Sequence, residues 1–120
     1  MAQGRIRRVE AAVRAVLGDT ISKELQDPRV GFVTVTAVKT NQDLRHARVY
    51  VSVFGDERAR DASLDGLRSA QGFLQARVAA ELRLRYTPTL SFEFDESVQR
   101  GMRISQLIES TAVQDDEHHE

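Results

Sequence analysis

Arginine is the residue type in this chain whose number and spacing could do chemistry. Fifteen arginines stand against two lysines among 120 residues. A guanidinium is planar, permanently charged and able to bind phosphate through two parallel hydrogen bonds, whereas an ammonium acts as a point charge. Between positions 68 and 85 a single acid, Glu81, faces four of the arginines: Arg68, Arg77, Arg83 and Arg85. This local excess of positive charge favours a polyanionic partner.

Further arginines lie at the start of a predicted N-terminal helix and on a predicted strand pair. Positive charge in the first turn of a helix has the wrong sign for the helix dipole, so either solvent exposure makes it cheap or an external polyanion uses it. Each arginine alone also fits a solvated surface charge or a helix partner, such as Arg77 with Glu81. The candidate RNA-binding set is Arg5, Arg7, Arg8, Arg14, Arg45, Arg48, Arg68, Arg77, Arg83 and Arg85.

Composition indicates an ordinary globular chain with an uneven charge distribution. The formal net charge is -1, but residues 1–50 hold nine basic and five acidic residues while residues 51–120 hold eight and thirteen. Arginine richness alone also fits base composition or thermal adaptation. Because there is no cysteine, disulfides and thiolate metal sites are excluded. Without a signal-like segment or an apolar run of about 18 residues, we expect a cytoplasmic protein that does not enter a membrane.

The elements that must position these arginines follow from the apolar periodicity. Residues 3–25 predict a helix that ends before Pro28, because the residue preceding a proline is pushed out of the helical region. Residues 30–39 and 46–54 alternate as two strands of an antiparallel hairpin. The inward positions of the first strand are predicted to be Val33, Val35 and Ala37, and those of the second Ala47, Val49, Val51 and Val53.

Residues 63–85 predict a helical pair interrupted near Gly72. Asp56 or Asp61 could be the N-cap of the helical segment that follows the second strand. The interhelical kink is assigned to Ser69, Ala70, Gln71 and Gly72. A third strand follows, with Leu90, Phe92 and Phe94 inward, and then a C-terminal helix that starts near Ser97. We expect one domain, residues 1–113, and a disordered acidic tail, residues 114–120, which could compete with RNA for the basic surface.

The predicted order is helix, strand, strand, kinked helix pair and strand, an α+β arrangement that resembles a type II KH-like domain with a three-stranded sheet covered by helices on one face. Five segments sharpen the resemblance by their joint order. They are Asp27-Pro28-Arg29-Val30-Gly31, Ala47-Arg48-Val49-Tyr50-Val51-Ser52, Ser69-Ala70-Gln71-Gly72-Phe73, Leu82-Arg83-Leu84-Arg85 before Thr87-Pro88, and Phe94-Asp95-Glu96-Ser97 before Gly101-Met102-Arg103-Ile104. In this order they resemble bacterial ribosome-binding factor A from about residue 5 to residue 108.

This resemblance implies a non-catalytic assembly factor of the small (30S) ribosomal subunit that acts as a monomer without a cofactor or metal. It implies binding to late precursor particles and their 16S rRNA, maturation of the rRNA 5' end, and a link to growth in the cold. Release would involve an assembly GTPase or an initiation factor. The first glycine of the usual KH clamp, GXXG, is missing at Ser69, which favours shape and phosphate contacts over a four-nucleotide clamp.

Three alternatives stay open at this stage. A metal-assisted nuclease site would use Glu93, Asp95 and Glu96 with His46, although polar residues are also required at the outward positions of such a strand. A KH-like module could bind RNA or protein without restriction to the ribosome. A module for protein partners alone would use the open sheet face, where His46 and Tyr50 could also stack on bases.

Overall fold

The structure is a computed structural model that describes residues 2–97. It is α+β, with six elements in the order α1 (Ala2–Lys23), β1 (Val33–Thr40), β2 (His46–Val53), α2 (Glu57–Ser69), α3 (Gln71–Leu82) and β3 (Thr89–Phe94). This is the order expected of a type II KH-like domain. The predicted C-terminal helix, the domain end at residue 113 and the acidic tail lie outside the described residues. Within those residues no helix is long and apolar enough to span a membrane.

The three strands form one mixed sheet in the order β1-β2-β3. β1 and β2 are the predicted antiparallel hairpin, and β3 runs parallel to β2 on its other side. The hairpin turn is held by side chains, since Asn41 accepts from the backbone N–H of His46 and Asp43 from that of Arg45, each at 3.0 Å. The backbone N–H of Thr89 donates to the carbonyl of Arg45 at 2.8 Å. The hairpin turn and the start of β3 therefore lie at the same end of the sheet.

The inward face of β1 differs from the prediction because the strand contains a bulge. Val35 pairs with Val51, but the next pair is Ala37 with Tyr50, so Thr36 is an extra residue. An extra residue reverses the alternation of a strand from that point on. The prediction that Ala37 faces inward was wrong, and Val38 is the buried residue instead.

The helix pair also differs in its bounds. The helix expected from residue 63 begins at Glu57, where Asp56 is the N-cap and accepts from the N–H of Ala59 at 2.9 Å. The interruption is at Ala70, with φ -89° and ψ 6°, whereas Gly72 lies inside α3. A Cβ added at Gly72 would meet no atom within 4 Å. No other segment of residues 2–97 therefore packs closely against the backbone at Gly72.

The helices cover one face of the sheet and share a single core with it. The alternate residues of β2 are all buried, as predicted, against apolar positions on each helix. The largest fully buried side chains include Val13 and Leu17 of α1, Leu67 of α2 and Leu74 of α3. Burying one such side chain contributes about 1.5–3 kcal/mol, so the predicted apolar stripes account for the position of the helices.

The outer edge of β3 is covered by polar side chains of the helix pair. Arg68, Gln71 and Gln75 donate to the carbonyls of Phe92, Leu90 and Pro88, respectively, at 3.3, 3.2 and 2.5 Å. Gln75 also accepts from the N–H of Leu90 at 3.0 Å. Spacings of three and four residues put the donors on one side of the helices, and alternate carbonyls of a strand point to the same edge. This edge is therefore blocked against pairing with a further strand.

Candidate nucleic-acid interface

Two of the ten predicted RNA-binding arginines contact carbonyl groups of the sheet. Arg68 Nη2 donates to the carbonyl of Phe92 on β3, and Arg14 Nε donates to the carbonyl of Val35 on β1 at 3.2 Å. β1 and β3 are the two outer strands, so each arginine satisfies an otherwise free carbonyl at one edge. Both residues remain exposed overall, but part of their donor capacity serves the fold.

Arg77 is held by two carboxylates. Its Nε lies 3.0 Å from Glu24 Oε2, and its Nη2 lies 3.3 Å from both Glu24 Oε1 and Glu81 Oε1. The Nε contact is an ion pair without hydrogen-bond geometry, whereas Nη2 donates to both acids. Arg77 therefore links α3 to the residue that follows α1, which agrees with the alternative reading of Arg77 as a helix partner of Glu81.

Arg45 and Arg85 converge on an aromatic ring that the sequence analysis did not select. The Cζ atoms of Arg45 and Arg85 lie 4.6 and 5.6 Å from the centroid of the Tyr86 ring, within the range of a cation–π interaction. Tyr86 is 52% exposed. We call Arg45, Arg85 and Tyr86 the tyrosine cluster. Its signal in the sequence is an aromatic residue in a polar linker directly after an arginine, which alone is too common to be noticed.

The linker that carries this cluster is anchored on both sides. Leu84 packs against the core and Pro88 is fully buried, so the residues between and beside them turn outward. Arg83 closes α3 in the left-handed conformation, with φ 49°. The linker thus displays Arg83 and Arg85 in solvent next to the hairpin turn.

The N-terminal arginines lie toward the same end of the sheet. Glu10 accepts from the backbone N–H of Thr40 at 2.8 Å, which places the middle of α1 beside the last residue of β1, while Arg14 reaches back along the strand to Val35. The turns that precede Glu10 therefore extend toward the hairpin turn. We call this part of the domain the basic end, after its exposed arginines: Arg5, Arg7, Arg8, Arg45, Arg83 and Arg85. Arg48, on the open face of β2, completes the predicted set.

The open face of the sheet carries mixed charge. A groove of about 700 Å³ runs over it between Arg48 and Tyr50 of β2 and the end of β3, and its lining includes both Lys39 and Glu93. A groove lined by both basic and acidic side chains has no marked preference for binding an anion. The candidate nuclease residues His46 and Glu93 are far apart on this face. Glu93 pairs with Tyr50 of β2, and His46 lies four residues from Tyr50, or about 13 Å along the strand.

Asp95, the other central member of that candidate site, is engaged in the fold. Its Oδ2 accepts from the bulged Thr36 hydroxyl at 2.6 Å, and its Oδ1 accepts from the backbone N–H of Ser97 at 3.0 Å. The carboxylate thus fastens the end of β3 to β1. No group of three or more His, Cys, Asp or Glu residues among residues 2–97 is placed to hold a metal ion.

Two more exposed aromatic residues were missed by the sequence analysis. Phe32 and Phe54 are 82% and 81% exposed, and the N–H of Phe54 donates to the carbonyl of Phe32 at 3.0 Å. They extend the hairpin at the end opposite to the tyrosine cluster. Alternation at the strand ends could have found them, because both positions continue the outward face.

The turn after α1 contains an ion pair that shifts the pKa values of both partners. Arg29 donates through its side chain and its backbone N–H to the Asp27 carboxylate, and these hydrogen bonds lower the pKa of Asp27 and raise the pKa of Arg29. At the end of α1, the hydrogen bond to Asp19 raises the pKa of Lys23. These ion pairs brace the turn and the helix end and do not involve the arginines of the basic end.

An α+β domain in this element order, with a three-stranded mixed sheet covered by helices on one face, has the arrangement of a KH-like domain. The family model described as ribosome-binding factor A matches residues 5–108. The chain belongs to the ribosome-binding factor A family.

Solved structures agree with this assignment. The crystal structure of ribosome-binding factor A from Thermus thermophilus is 32% identical over 74% of this chain and 93% of that chain, with a TM-score of 0.67. An NMR structure of a Thermotoga maritima protein described as a ribosome binding factor A is 33% identical over 74% and 85%, also with a TM-score of 0.67. A Thermus thermophilus homology model fitted into a cryo-EM map of a 30S complex is 32% identical over 74% and 93%, with a TM-score of 0.63.

Proposed function

We propose that this protein binds the small ribosomal subunit through its 16S rRNA and assists the assembly of that subunit. The observation that carries the proposal is the similarity to the Thermus thermophilus factor, whose coordinates were fitted into the map of a 30S complex. The basic end of the domain supplies the complementary charge, since rRNA is a polyanion and guanidinium groups bind phosphate in a bidentate way.

The role is that of a binding factor without catalysis, cofactor or metal. The protein contacts the phosphates and the shape of folded rRNA and does not clamp a single strand in a GXXG loop. Such a loop has no place between α2 and α3, because the two helices are joined through the single residue Ala70. The N–H of Ala70 donates to the carbonyl of Gly66 at 3.0 Å and the carbonyl of Ala70 accepts from Leu74 at 2.9 Å. Backbone groups used in this way are not available to clamp a strand of nucleotides as a GXXG loop does.

The finer parts of the proposal follow from membership of the family. The protein acts as a cytoplasmic monomer on late precursor particles, supports processing of the rRNA 5' end and is needed most in the cold. An assembly GTPase or an initiation factor releases it before translation begins. Residues 1–113 carry the binding function, and residues 114–120 weaken it by competing with RNA for the basic end.

Not all ten arginines contribute equally under this proposal. Arg77 is paired with two acids and Arg14 and Arg68 hold the sheet edges, so these three act mainly on the fold. The phosphate contacts are assigned to the exposed members at the basic end: Arg5, Arg7, Arg8, Arg45, Arg83 and Arg85. Arg48, on the open face, is the remaining candidate.

Sedimentation with purified ribosomal subunits tests the proposal. We expect the protein to pellet with small subunits, to prefer immature over mature ones, and to be absent from large-subunit pellets. Each phosphate contact adds about 0.7 to 0.9 to the slope of log affinity against log salt. Equal binding to both subunits would leave the general KH-like module as the function, and binding that does not change with salt would favour a module for protein partners.

A matched pair of variants locates the contact. Arg83→Asn removes one charge at the basic end and keeps a residue type that tolerates the left-handed conformation. We expect it to lower the salt slope by about 0.7 to 0.9. Arg58→Gln removes one exposed charge from α2, outside the proposed set, and should leave the slope unchanged. An equal loss in both variants would show that net charge, rather than this end of the domain, controls binding.

A further inference from the structure

The tyrosine cluster has more than the charge that phosphate binding requires. Two guanidinium groups lie within 6 Å of the centroid of one tyrosine ring, and the ring itself is half exposed. A cation–π contact uses the flat face of a guanidinium and leaves the N–H groups at its edge free to bind an anion. The cluster therefore combines a flat, partly apolar surface with donors around its rim.

The backbone holds the cluster in place before any ligand arrives. Arg45 is fixed by the bond from its N–H to Asp43 and by its carbonyl, which accepts from Thr89. The tyrosine is fixed from the other side by Pro88, whose carbonyl accepts from Gln75. Asp43, the acid of the hairpin turn, carries one negative charge against the two guanidinium groups at the ring, so these three side chains have a net charge of +1.

We propose that the tyrosine cluster is a stacking site for one unpaired nucleobase of RNA. The base stacks on a guanidinium group that itself lies over the Tyr86 ring, and the N–H groups at the edges of Arg45 and Arg85 bind the phosphates on either side of the base. Unpaired bases in RNA are recognised by stacking on aromatic rings or on arginine planes, whereas bases inside a duplex are not accessible in this way. This inference rests on the proposed contact with rRNA and adds to it a single-stranded element at a defined place.

The test compares a single strand with a duplex. The full chain is titrated with a fluorescein-labelled 12-nucleotide oligoadenylate and, separately, with a 12-base-pair RNA duplex. Loss of one stacking contact weakens binding by about 5- to 150-fold. We expect Tyr86→Leu to weaken binding of the single strand by this factor without a change in salt slope, and Tyr86→Phe to bind within twofold of the native chain.

The controls separate stacking from charge and from folding. Phe73→Leu removes another exposed ring, 45% exposed on α3, and should leave both affinities unchanged. Duplex binding should be the same in Tyr86→Leu and the native chain, with unchanged circular dichroism. The inference is overturned if Tyr86→Leu binds the single strand as the native chain does, if it loses single strand and duplex equally, or if the native chain does not bind the single strand.

Failure of this inference can be told apart from failure of the proposed function. If the native chain and Tyr86→Leu pellet equally well with small subunits, the proposed function stands and the stacking site does not. If the native chain does not pellet with small subunits but shows the Tyr86-dependent affinity for the single strand, the stacking site stands and the ribosomal assignment fails.

Discussion

Two glycines of the helix pair should respond in opposite ways to the same substitution. In a helix interior Gly→Ala normally stabilises by about 1 kcal/mol, because alanine loses less conformational freedom on folding. A Cβ added at Gly66 would lie 2.6 Å from Val30 Cγ2, 3.4 Å from Arg29 Cβ and 3.5 Å from Asp27 Cγ. At Gly72 the same atom would meet nothing within 4 Å.

The magnitude at Gly66 follows from how far the turn must move. Two carbon atoms in good contact lie about 3.5–4.0 Å apart, so the Val30 methyl group, or the turn that carries it, must move by about 1 Å. It cannot move freely, because the Ser63 hydroxyl donates to the carbonyl of Arg29 and accepts from the N–H of Gly31, at 3.3 and 3.1 Å. Overpacking of this kind costs about 1–3 kcal/mol. After the gain in helix propensity, we expect Gly66→Ala to destabilise by about 1 kcal/mol and Gly72→Ala to stabilise by up to about 1 kcal/mol.

Urea unfolding followed by far-UV circular dichroism measures both variants against the native chain. A change in midpoint at constant slope reports stability alone. The packing argument is refuted if Gly66→Ala is as stable as the native chain. If Gly72→Ala is destabilised or loses small-subunit binding, then Gly72 has the role at the kink that its position in the sequence suggested, and the assignment of the interruption to Ala70 alone is wrong.

Three further substitutions test other contacts. Gln75→Ala should cost about 1–3 kcal/mol by leaving the N–H of Leu90 and the carbonyl of Pro88 without the partner that Gln75 supplies, with faster amide exchange at Leu90, whereas Gln75→Glu should keep that amide protected. Asp27→Asn should lower stability at pH 7, and this loss should shrink as the pH falls below about 4 toward the depressed folded pKa of Asp27, because the stabilisation by the charged carboxylate is present above the unfolded pKa and disappears through the folded one; a loss at pH 3 as large as that at pH 7 in urea titrations would contradict this. Arg77→Gln should cost roughly 1 kcal/mol or less through its pairing with Glu24 and leave the salt slope of small-subunit binding unchanged, and a reduced slope would return Arg77 to the RNA contact.

The sequence predicted the sheet most accurately where one rule acts alone. In β2 the alternation of small apolar and polar residues determines which side is buried, and Ala47 to Val53 follow it without exception. In β1 the same rule failed after Val35, because a bulge is favoured by tertiary contacts. The hydroxyl of Thr36 donates to Asp95, which directly follows β3, and no local pattern in β1 contains that partner.

The helix break shows a different limit of sequence reasoning. Glycine is a strong local signal for a helix break, so the interruption was predicted near Gly72. In the structure α2 and α3 are separated at Ala70, two residues earlier. Gln71 and Gln75 of α3 must reach the carbonyls of Leu90 on β3 and of Pro88 just before it, and that requirement sets the direction of α3. The position of the break is therefore determined by what the second helix contacts.

The arginines fall into two groups, those bound by groups of the fold and those left exposed, and tertiary contacts again decide which group each joins. An arginine next to an unsatisfied carbonyl or carboxylate of the fold is used there, as Arg68 and Arg77 are, since leaving the partner group unpaired would cost free energy. Sequence spacing identifies the charge but not the competing partner. An arginine without such a partner keeps its donors for an external phosphate. Arg45 is an example, because Asp43 and Thr89 bond its backbone and its side chain lies over the ring of Tyr86. The functional surface is therefore found by accounting for the hydrogen bonds of the fold first and taking the donors that remain.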